Sequence, residues 1–361
     1  MYSSTKNLVF LAGKKAFLKI REEGLKPEMI KVITGAAGGP KWLVLNHLDR
    51  VIFSSWIKNR KKPLFLLGSS IGAWRFAAAS QNNHRQAIDR FQSEYLGQHY
   101  SSNPGPEEVT RETVRIMNRY IDDTKIREIL QHPYMRLNIM AVRSKWVVSS
   151  DKKLFLTFGL LASAFLNAFS RNSLRFFFER ALFYDERSLP PFWEMDGFPI
   201  KKIPLHTYNI KKALLASGSI PLIMSGVDNI SHAPKGTYRD GGVIDYHMDI
   251  PFLGGDEGIV LYPHFTDRII PGWFDKKLFW RKPLNMDHVL LIAPSEKFID
   301  RLPRKKIPDR NDFIHFKGRD AERIECWKTV IKISERLGHE FLETVETGKI
   351  RKLIKPMRCV K

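Results

Sequence analysis

The chain has 361 residues, of which 59 are basic and 38 acidic, so its formal net charge is +21. Hydrophobic residues make up 43% of it, which supports a packed core and excludes a wholly disordered chain. The two cysteines, Cys326 and Cys359, are too few for a disulfide scaffold or a CxxC metal cluster, and the basic excess favours nucleic acid, a phosphate-bearing substrate or an anionic membrane as partner.

The first part of the chain alternates between helical and strand-like patterns. Its apolar periodicity and turn residues predict helices at 14–23, 41–56 and 71–80, and strands at 31–34 and 63–67. Further strands are predicted at 136–142, 236–239 and 288–293. Strand, loop and helix in repeated succession indicate an α/β sheet with helices on both faces. The apolar run Leu8 to Ala12 is too short for a secretory signal peptide, so we expect a cytoplasmic protein.

The middle of the chain has a different character. Residues 154–169 carry no charge, and as a helix they would span about 24 Å, short of the roughly 30 Å hydrocarbon core of a bilayer. Gly159, Ser163, Asn167 and Ser170 would share one face of that helix. An interfacial or lid helix and a buried core helix both fit this pattern. The aromatic residues that follow, up to about residue 193, suit either a lipid surface or a core.

A candidate nucleophile follows the strand at 63–67. The stretch Gly68-Ser69-Ser70-Ile71-Gly72 fits GxSxG between a strand and a helix, the context that this motif requires. A sharp turn there would place the Ser70 hydroxyl at the tip, while the glycines let backbone and helix approach closely. Ser69 is one position off the motif.

A second glycine-rich turn precedes the predicted helix at 41–56. It runs from Gly35 through Gly38 and Gly39 to Lys41, and it lacks the spacing of a P-loop or a dinucleotide motif. Backbone amides at Gly38 and Gly39 could stabilise an oxyanion, and Lys41 would add positive field near a phosphate head group. A plain tight turn is the alternative interpretation.

Two kinds of base could serve the serine. Histidine is the usual partner, and the candidates are His206, His232, His247, His264 and His288, none of them in a distinctive motif. A carboxylate held beside the hydroxyl in a pocket of low dielectric can serve instead. Asp240 stands out because it comes directly after a predicted strand and is followed by Gly241 and Gly242.

Taken together, these segments resemble the patatin-like phospholipases. The chain shows Gly38-Gly39-Pro40-Lys41, Gly68-Ser69-Ser70-Ile71-Gly72 and Asp240-Gly241-Gly242 in the order of that family, and the segment from Ala213 to Pro221 is similar to its Ala-Ser-x-x-x-Pro stretch. The family's oxyanion loop usually reads Asp-Gly-Gly-Gly, whereas Thr34-Gly35-Ala36-Ala37 stands here.

The resemblance implies a fold, a domain and a site. The fold is a three-layer α/β/α sandwich in one domain over 1–361, with the motifs at about 31–250, a largely helical insertion at about 150–200 and a basic C-terminal extension at about 295–361. Ser70 and Asp240 would form a catalytic dyad, with Gly38 and Gly39 as oxyanion hole and with support from Gly35, Lys41, Gly68, Gly72, Gly241 and Gly242. No metal or cofactor is needed. The substrate would be a phospholipid or related lipid ester, met peripherally at an anionic membrane, and no nucleic acid is expected.

Several alternatives stay open. A histidine triad with His264 or His288 would make the chain a serine esterase of another kind, and transfer of the acyl group to an acceptor could replace hydrolysis. A basic membrane-binding protein without catalysis would use clusters at 58–62, 301–310 and 349–361. Asp245, His247 and Asp249 alternate and could bind a metal. Arg75 could steer an anionic head group or form a structural ion pair.

Overall fold

A central sheet of ten strands organises the protein, and the computed structural model describes residues 7–357. The strands are β1 (Leu8–Ala12), β2 (Ile30–Gly35), β3 (Leu64–Ser69), β4 (Met135–Ser144), β5 (Phe178–Tyr184), β6 (Ile200–Pro204), β7 (Tyr238–Asp240), β8 (Ile259–Pro263), β9 (Val289–Pro294) and β10 (Lys355–Pro356). The order is β10-β1-β9-β8-β2-β3-β4-β5-β6, with β7 paired to β4.

Twelve α-helices are found within the described residues. They are α1 (Lys14–Glu23), α2 (Asn46–Val51), α3 (Ile71–Ala79), α4 (His84–Leu96), α5 (Pro106–Tyr120), α6 (Asp123–Gln131), α7 (Lys153–Phe169), α8 (Ile210–Gly218), α9 (Glu296–Ile299), α10 (Asn311–His315), α11 (Asp320–Glu346) and α12 (Ile350–Leu353). Within residues 7–357, none of them has the length and apolar character needed to cross a membrane.

The centre of the sheet is parallel and covered on both faces. Strands β9, β8, β2, β3 and β4 run parallel to one another, whereas β1 is antiparallel to β9 and β5 is antiparallel to β4. Every residue of β3, β8 and β9 is buried. Strands buried on both sides are typical of a sheet sandwiched between helices, so the predicted α/β class is confirmed.

Most predicted elements of the first part are found where the pattern placed them. Helix α1 has the predicted bounds, and β2, β3, α3, β4, β7 and β9 lie within two residues of theirs. The helix predicted over 41–56 is found as a continuous helical stretch, but not as one regular α-helix. A 3₁₀ segment (Gly39–Leu45), the short α2 and a π-helical turn (Ile52–Trp56) occupy it. Trp42 and the three residues after it are all buried, so packing on every side overrides the regular helical period.

The region between Ser70 and Asp240 contains strands as well as helices. Helices α4 to α8 lie there, and 178–184, an aromatic run in the sequence, forms β5 and joins the sheet beside β4. Helix α7 covers the uncharged segment and packs on a second, smaller apolar cluster with Val243 and Ile244. The insertion at 150–200 therefore supplies part of the sheet.

The C-terminal segment belongs to the same core. Trp327 and Phe341 of α11 are buried with residues of β1, β2 and β3 in one continuous apolar cluster. Strand β10 pairs with β1 at the sheet edge. The predicted features at Arg358, Cys359 and Lys361 lie outside the described residues.

Candidate active site

Strand register brings the separate motifs to one edge of the sheet. Gly35, the last residue of β2, is paired with Gly68, the second-last residue of β3, so the two glycine-rich turns leave the sheet side by side. On the other side of β3, Ser69 is paired with Met140 of β4. The next residue of β4, Ala141, is paired with Asp240 of β7. Ser70 and Asp240 therefore meet although they lie 170 positions apart in the sequence.

Ser70 occupies the tip of a sharp strand-to-helix turn. Its φ and ψ are 53° and −127°, a conformation that a residue with a side chain rarely adopts and that is typical of a nucleophile elbow. The amide of Ser70 donates to Ser217 Oγ at 2.8 Å, and Ser217 Oγ donates to the Met140 carbonyl at 2.7 Å. These contacts from α8 and β4 hold the strained residue in place.

The elbow requires glycine on both sides of the serine. A Cβ at Gly72 would lie 2.2 Å from the Gly35 carbonyl oxygen, and a Cβ at Gly68 would lie 2.3 Å from the Ala73 nitrogen. Both distances are far below van der Waals contact, so helix α3 can approach the sheet only because these side chains are absent. Ser69 is fully buried in the sheet.

Asp240 is the hydrogen-bond partner of the Ser70 hydroxyl. Ser70 Oγ donates to Asp240 Oδ2 at 2.7 Å, and Asp240 Oδ1 accepts from the Gly242 amide at 2.7 Å. Burial raises the pKa of the Asp240 carboxyl, and the bonds from Ser70 and Gly242 and the charges of Arg310 and Lys276 only partly oppose this. A buried carboxylate with a raised pKa is a competent general base.

Gly241 and Gly242 allow the aspartate turn to pack against its neighbours. A Cβ at Gly241 would lie 2.2 Å from the Met140 carbonyl oxygen, and one at Gly242 would lie 2.7 Å from Ala37 Cβ. The Asp240 turn and the glycine-rich turn after β2 are therefore in direct contact, which fixes the carboxylate relative to that loop.

The glycine-rich loop lies next to Ser70 and Asp240. Gly39 has a φ of 55°, in the left-handed region that favours glycine, and it lines the same cavity as Ser70. The amides of Gly38 and Gly39 have no acceptor among residues 7–357. A Cβ at Gly38 would lie 2.7 Å from the Phe265 ring. Two unpaired amides in the loop that contributes Gly39 to the Ser70 cavity are donors of the kind that an oxyanion hole uses.

Three cationic side chains, Lys41, Lys276 and Arg310, lie near one another on the Asp240 side of the site. Lys41 Nζ donates to the Tyr246 hydroxyl at 3.3 Å, and Lys276 Nζ lies 4.2 Å from the centre of the Tyr246 ring. Arg310, from the turn before α10, lines the cavities on both the Ser70 and the Asp240 side. Burial lowers the pKa of Lys41. Partial desolvation, then repulsion by Arg310 and Lys41, lowers the pKa of Lys276 to about 8.

An apolar cavity of about 450 Å³ opens beside Ser70. This volume lies within the ~300–1,000 Å³ typical of small-molecule sites. Its wall combines residues of the elbow helix, α5, the turn after α8 and α10, including Trp74, Val109, Ile116, Ile220, Met224 and Phe313. A long hydrocarbon chain suits such a wall because it offers few polar partners.

Histidines do not accompany the serine. His264 Nδ1 lies 2.6 Å from the Thr266 carbonyl oxygen, and burial lowers the pKa of His264 to about 3. His288 Nδ1 lies 3.2 Å from the Gly258 carbonyl oxygen, at the start of β9 and so at the opposite edge of the sheet. Among the described residues, neither histidine ring is hydrogen-bonded to Ser70, whose hydroxyl donates to Asp240.

The alternating residues after Asp240 serve packing instead of forming a cluster. Asp245 receives two hydrogen bonds of 2.8 Å from Arg180, Asp249 accepts from the Leu284 and Asn285 amides, and His247 Nδ1 accepts from the Ile270 amide. Residues 7–357 bring no three metal-ligating side chains together, so the metal alternative finds no site there.

Arg75 forms a structural ion pair. Its guanidinium donates to both carboxylate oxygens of Asp49 at 2.7 and 2.6 Å, and both side chains are buried. Because Asp49 lies in α2 and Arg75 in α3, the pair ties the helix after the glycine-rich loop to the helix after Ser70. The alternative role in steering a head group is not supported.

The sequence did not predict a role for two residues of the site, Ser217 and Arg310. Ser217, which supports the elbow, lies in the Ala-Ser-x-x-x-Pro stretch, and only that resemblance pointed to it. Arg310 was one of several cations in the basic cluster at 301–310. Neither position is near Ser70 in the sequence, so local patterns could not place it at the site.

Comparison with known proteins finds a structural likeness but no sequence match for this chain. No family model matches it, and no curated protein matches it. Among solved structures it is similar to VipD from Legionella pneumophila, with a TM-score of 0.35 and 10% sequence identity over 85% of this chain and 67% of that chain. A likeness of this size carries no conclusion about the chemistry of Ser70.

Proposed function

We propose that this protein is a lipid acyl hydrolase of the patatin-like type, which cleaves carboxylic esters of phospholipids or related lipids through a serine acyl-enzyme. The observation that carries the proposal is the 2.7 Å hydrogen bond from the strained Ser70 to the buried Asp240, at the wall of an apolar cavity. Nucleophile, base, oxyanion donors and acyl site then occur together, which is the combination that ester hydrolysis needs.

The reaction would run in two steps. Asp240 takes the Ser70 proton while Ser70 Oγ attacks the ester carbonyl, and the resulting oxyanion is stabilised by the Gly38 and Gly39 amides, each worth about 3–4 kcal/mol by analogy with other oxyanion holes. Protonated Asp240 then gives its proton to the leaving alcohol or lysolipid. Asp240 then takes a proton from a water molecule that attacks the acyl-enzyme, and returns it to Ser70 Oγ as the fatty acid is released.

Two alternative enzymes use the same serine. A histidine triad is disfavoured because the hydroxyl donates to a carboxylate, while His264 and His288 bond to backbone carbonyls elsewhere. Acyl transfer differs only in the acceptor that replaces water in the second step. It is therefore a second outcome of the same chemistry, and product analysis separates the two.

The partner in this proposal is an anionic membrane surface, met peripherally. The net charge of +21 supports attraction to anionic lipid, which amounts to about 1 kcal/mol for each cation close to the surface. Neither a zinc-finger spacing nor an RNP-like motif supports nucleic acid as the partner. The charge would bring the enzyme to its substrate without taking part in the chemistry.

The test is fatty-acid release from a panel of phospholipids, lysophospholipids and diacylglycerols. We expect activity in the wild type, loss of at least about 10³-fold in Ser70→Ala and Asp240→Asn, and near-normal activity in Ser69→Ala and His264→Gln. Ser69→Ala is the matched control because it removes the neighbouring hydroxyl. An active Asp240→Asn together with an inactive His264→Gln would contradict the dyad.

A further inference from the structure

Helix α7 has its small and polar residues on the buried side and its large apolar residues on the exposed side. Its buried side holds Gly159, Ser163 and Asn167 besides two leucines. Its exposed side holds large apolar residues, each between 38 and 79% exposed: Leu154, Phe155, Phe158, Leu161, Phe165, Leu166 and Phe169. A soluble helix normally shows the reverse distribution, and an exposed apolar face of this size marks an interaction surface.

The inward side fixes this orientation. A Cβ at Gly159 would lie 2.5 Å from Val148 Cγ1, so the helix backbone rests directly on the preceding turn. Asn167 Nδ2 donates to the buried carboxylate of Asp275 at 2.8 Å. The helix cannot roll its apolar side inward without breaking this hydrogen bond and pressing large side chains against the turn.

A second exposed apolar segment lies beside the C-terminal half of α7. Arg281 Nη2 donates to the Asn167 carbonyl at 2.7 Å, which joins the segment to the helix. On either side of Arg281, Phe279, Trp280 and Leu284 are 72, 53 and 86% exposed. We call the exposed side of α7 and these three residues the docking face.

The charges around the docking face select its partner. Residues 152–175 and 276–286 contain no aspartate or glutamate. Five exposed cations flank the apolar residues, and none forms an ion pair within residues 7–357: Lys152, Lys153, Arg175, Lys277 and Lys282. A second copy of the chain would bring the same cations and be repelled, whereas an anionic bilayer offers hydrocarbon for the aromatic side chains and negative charge for the rim.

We infer that the docking face inserts its aromatic and aliphatic side chains into the interface of an anionic lipid bilayer. Helix α7 lies parallel to the membrane plane in this arrangement, because its apolar side chains run along its whole length at helical spacing. The docking face lies close to the dyad, since α7 packs on Val243 just after Asp240, and Trp273 lines the cavity on the Asp240 side.

Vesicle binding of the full chain tests this inference without reference to activity. The probe is a vesicle of phosphatidylcholine with about one-third phosphatidylserine. We expect Phe158→Ser/Phe165→Ser to lower the partition coefficient at least about tenfold, because two inserted rings are lost, and the apolar control Leu18→Ser on α1 to bind like the wild type. Because the replaced side chains are exposed, thermal unfolding should be unchanged.

A second pair of variants separates the contribution of the cations that flank the docking face from that of the general basic charge. Lys152→Gln/Lys153→Gln and Lys61→Gln/Lys62→Gln remove the same charge from exposed positions, and we expect a larger loss of binding in the first. Equal binding of wild type and Phe158→Ser/Phe165→Ser would overturn the inference. So would the absence of any vesicle binding, or a wild-type dimer that dissociates in this variant. Ser70→Ala should bind like the wild type, so failure of the proposed hydrolysis would leave this result intact.

A separate observation concerns the cations at the dyad. The Arg310 guanidinium has neither a hydrogen bond nor an ion pair within residues 7–357, although it lines the cavity beside Ser70. Its Nε would lie 3.5 Å from a Cβ at Gly39. Lys41 and Lys276 face the same Tyr246 ring. The nearby carboxylate of Asp309 is already bonded to Lys306 and the Asn311 amide.

We propose, on the basis of the hydrolase function, that Arg310 with Lys41 and Lys276 binds the phosphate of a phosphate-bearing lipid ester. Three cations held close together repel one another, and a bound phosphate removes that repulsion through charge-assisted hydrogen bonds. The unpaired guanidinium offers the bidentate geometry that phosphate prefers.

Matched substrates test this site. With Arg310→Gln we expect kcat/KM for a phospholipid to fall at least about tenfold more than kcat/KM for the diacylglycerol with the same chains, because the effect of the Arg310 charge on Asp240 is lost for both substrates. The control Arg301→Gln, an exposed cation of the same segment, should change neither. Equal loss on both substrates would overturn the proposal. If neither substrate is hydrolysed, titration of inorganic phosphate into Ser70→Ala and Ser70→Ala/Arg310→Gln still decides, since only the first should bind.

Discussion

Replacing Asp49 by asparagine should destabilise the protein by about 3–5 kcal/mol. The change leaves the shape of the side chain almost intact but removes the negative charge that Arg75 contacts at 2.6 and 2.7 Å. The side chains of Arg75 and Asp49 are only 3 and 4% exposed, so water cannot replace the lost partner. An unpaired buried guanidinium is therefore the dominant cost, and solvent screening does not reduce it.

Urea unfolding followed by far-ultraviolet circular dichroism measures this loss. The matched control is Glu107→Gln, which removes a carboxylate from the exposed pair with Arg111 and should produce no measurable change. The double variant Asp49→Leu/Arg75→Met should regain most of the stability, because no charge is then left buried. A loss below about 1 kcal/mol in Asp49→Asn would refute the view that this pair is buried and structural.

Three further outcomes follow from the site. Gly72→Ala should abolish ester hydrolysis and lower the melting temperature, because its Cβ would meet the Gly35 carbonyl oxygen at 2.2 Å, whereas Gly105→Ala, with open space around it, should do neither. In the pH profile of kcat/KM on a soluble neutral ester, the apparent pKa of the acid limb should lie above the usual range of an aspartate. Burial raises the pKa of Asp240, and only its carboxylate form accepts the proton. An apparent pKa near that of a free carboxyl would contradict this. Folding raises the pKa of Asp240, so the wild type loses stability as the pH rises through the folded-state pKa of this carboxyl. Asp240→Asn should therefore be inactive, yet more stable than the wild type in thermal melts at neutral pH. A less stable variant at neutral pH would argue against a buried charge.

Local signals in the sequence were enough to predict the strand and helix that carry the candidate nucleophile Ser70. The apolar run of β3, the flanking glycines and the alanine-rich helix α3 are contiguous, so the elbow at Ser70 could be predicted from a few residues. The irregular helices after Gly39 could not, because burial on all sides decided their form. Strand β5 likewise depends on pairing with β4, which no local pattern contains.

The surroundings of the dyad illustrate the same limit. Asp240 reaches Ser70 only through the register of β4 with both β3 and β7. Arg310 arrives from the turn before α10, and its position depends on how that turn packs over Gly39. The uncharged run of α7 was visible in the sequence, but whether its large side chains faced the core or the outside depended on the close approach at Gly159.

The central claim is that Ser70 is an activated nucleophile and Asp240 its base. Labelling with a fluorophosphonate, followed by peptide mass spectrometry, tests this most directly because it requires no knowledge of the natural substrate. We predict one phosphonyl adduct per chain located on Ser70, no adduct in Ser70→Ala, and labelling slowed by at least about 10²-fold in Asp240→Asn. An adduct on another serine, or equal labelling rates in wild type and Asp240→Asn, would contradict it.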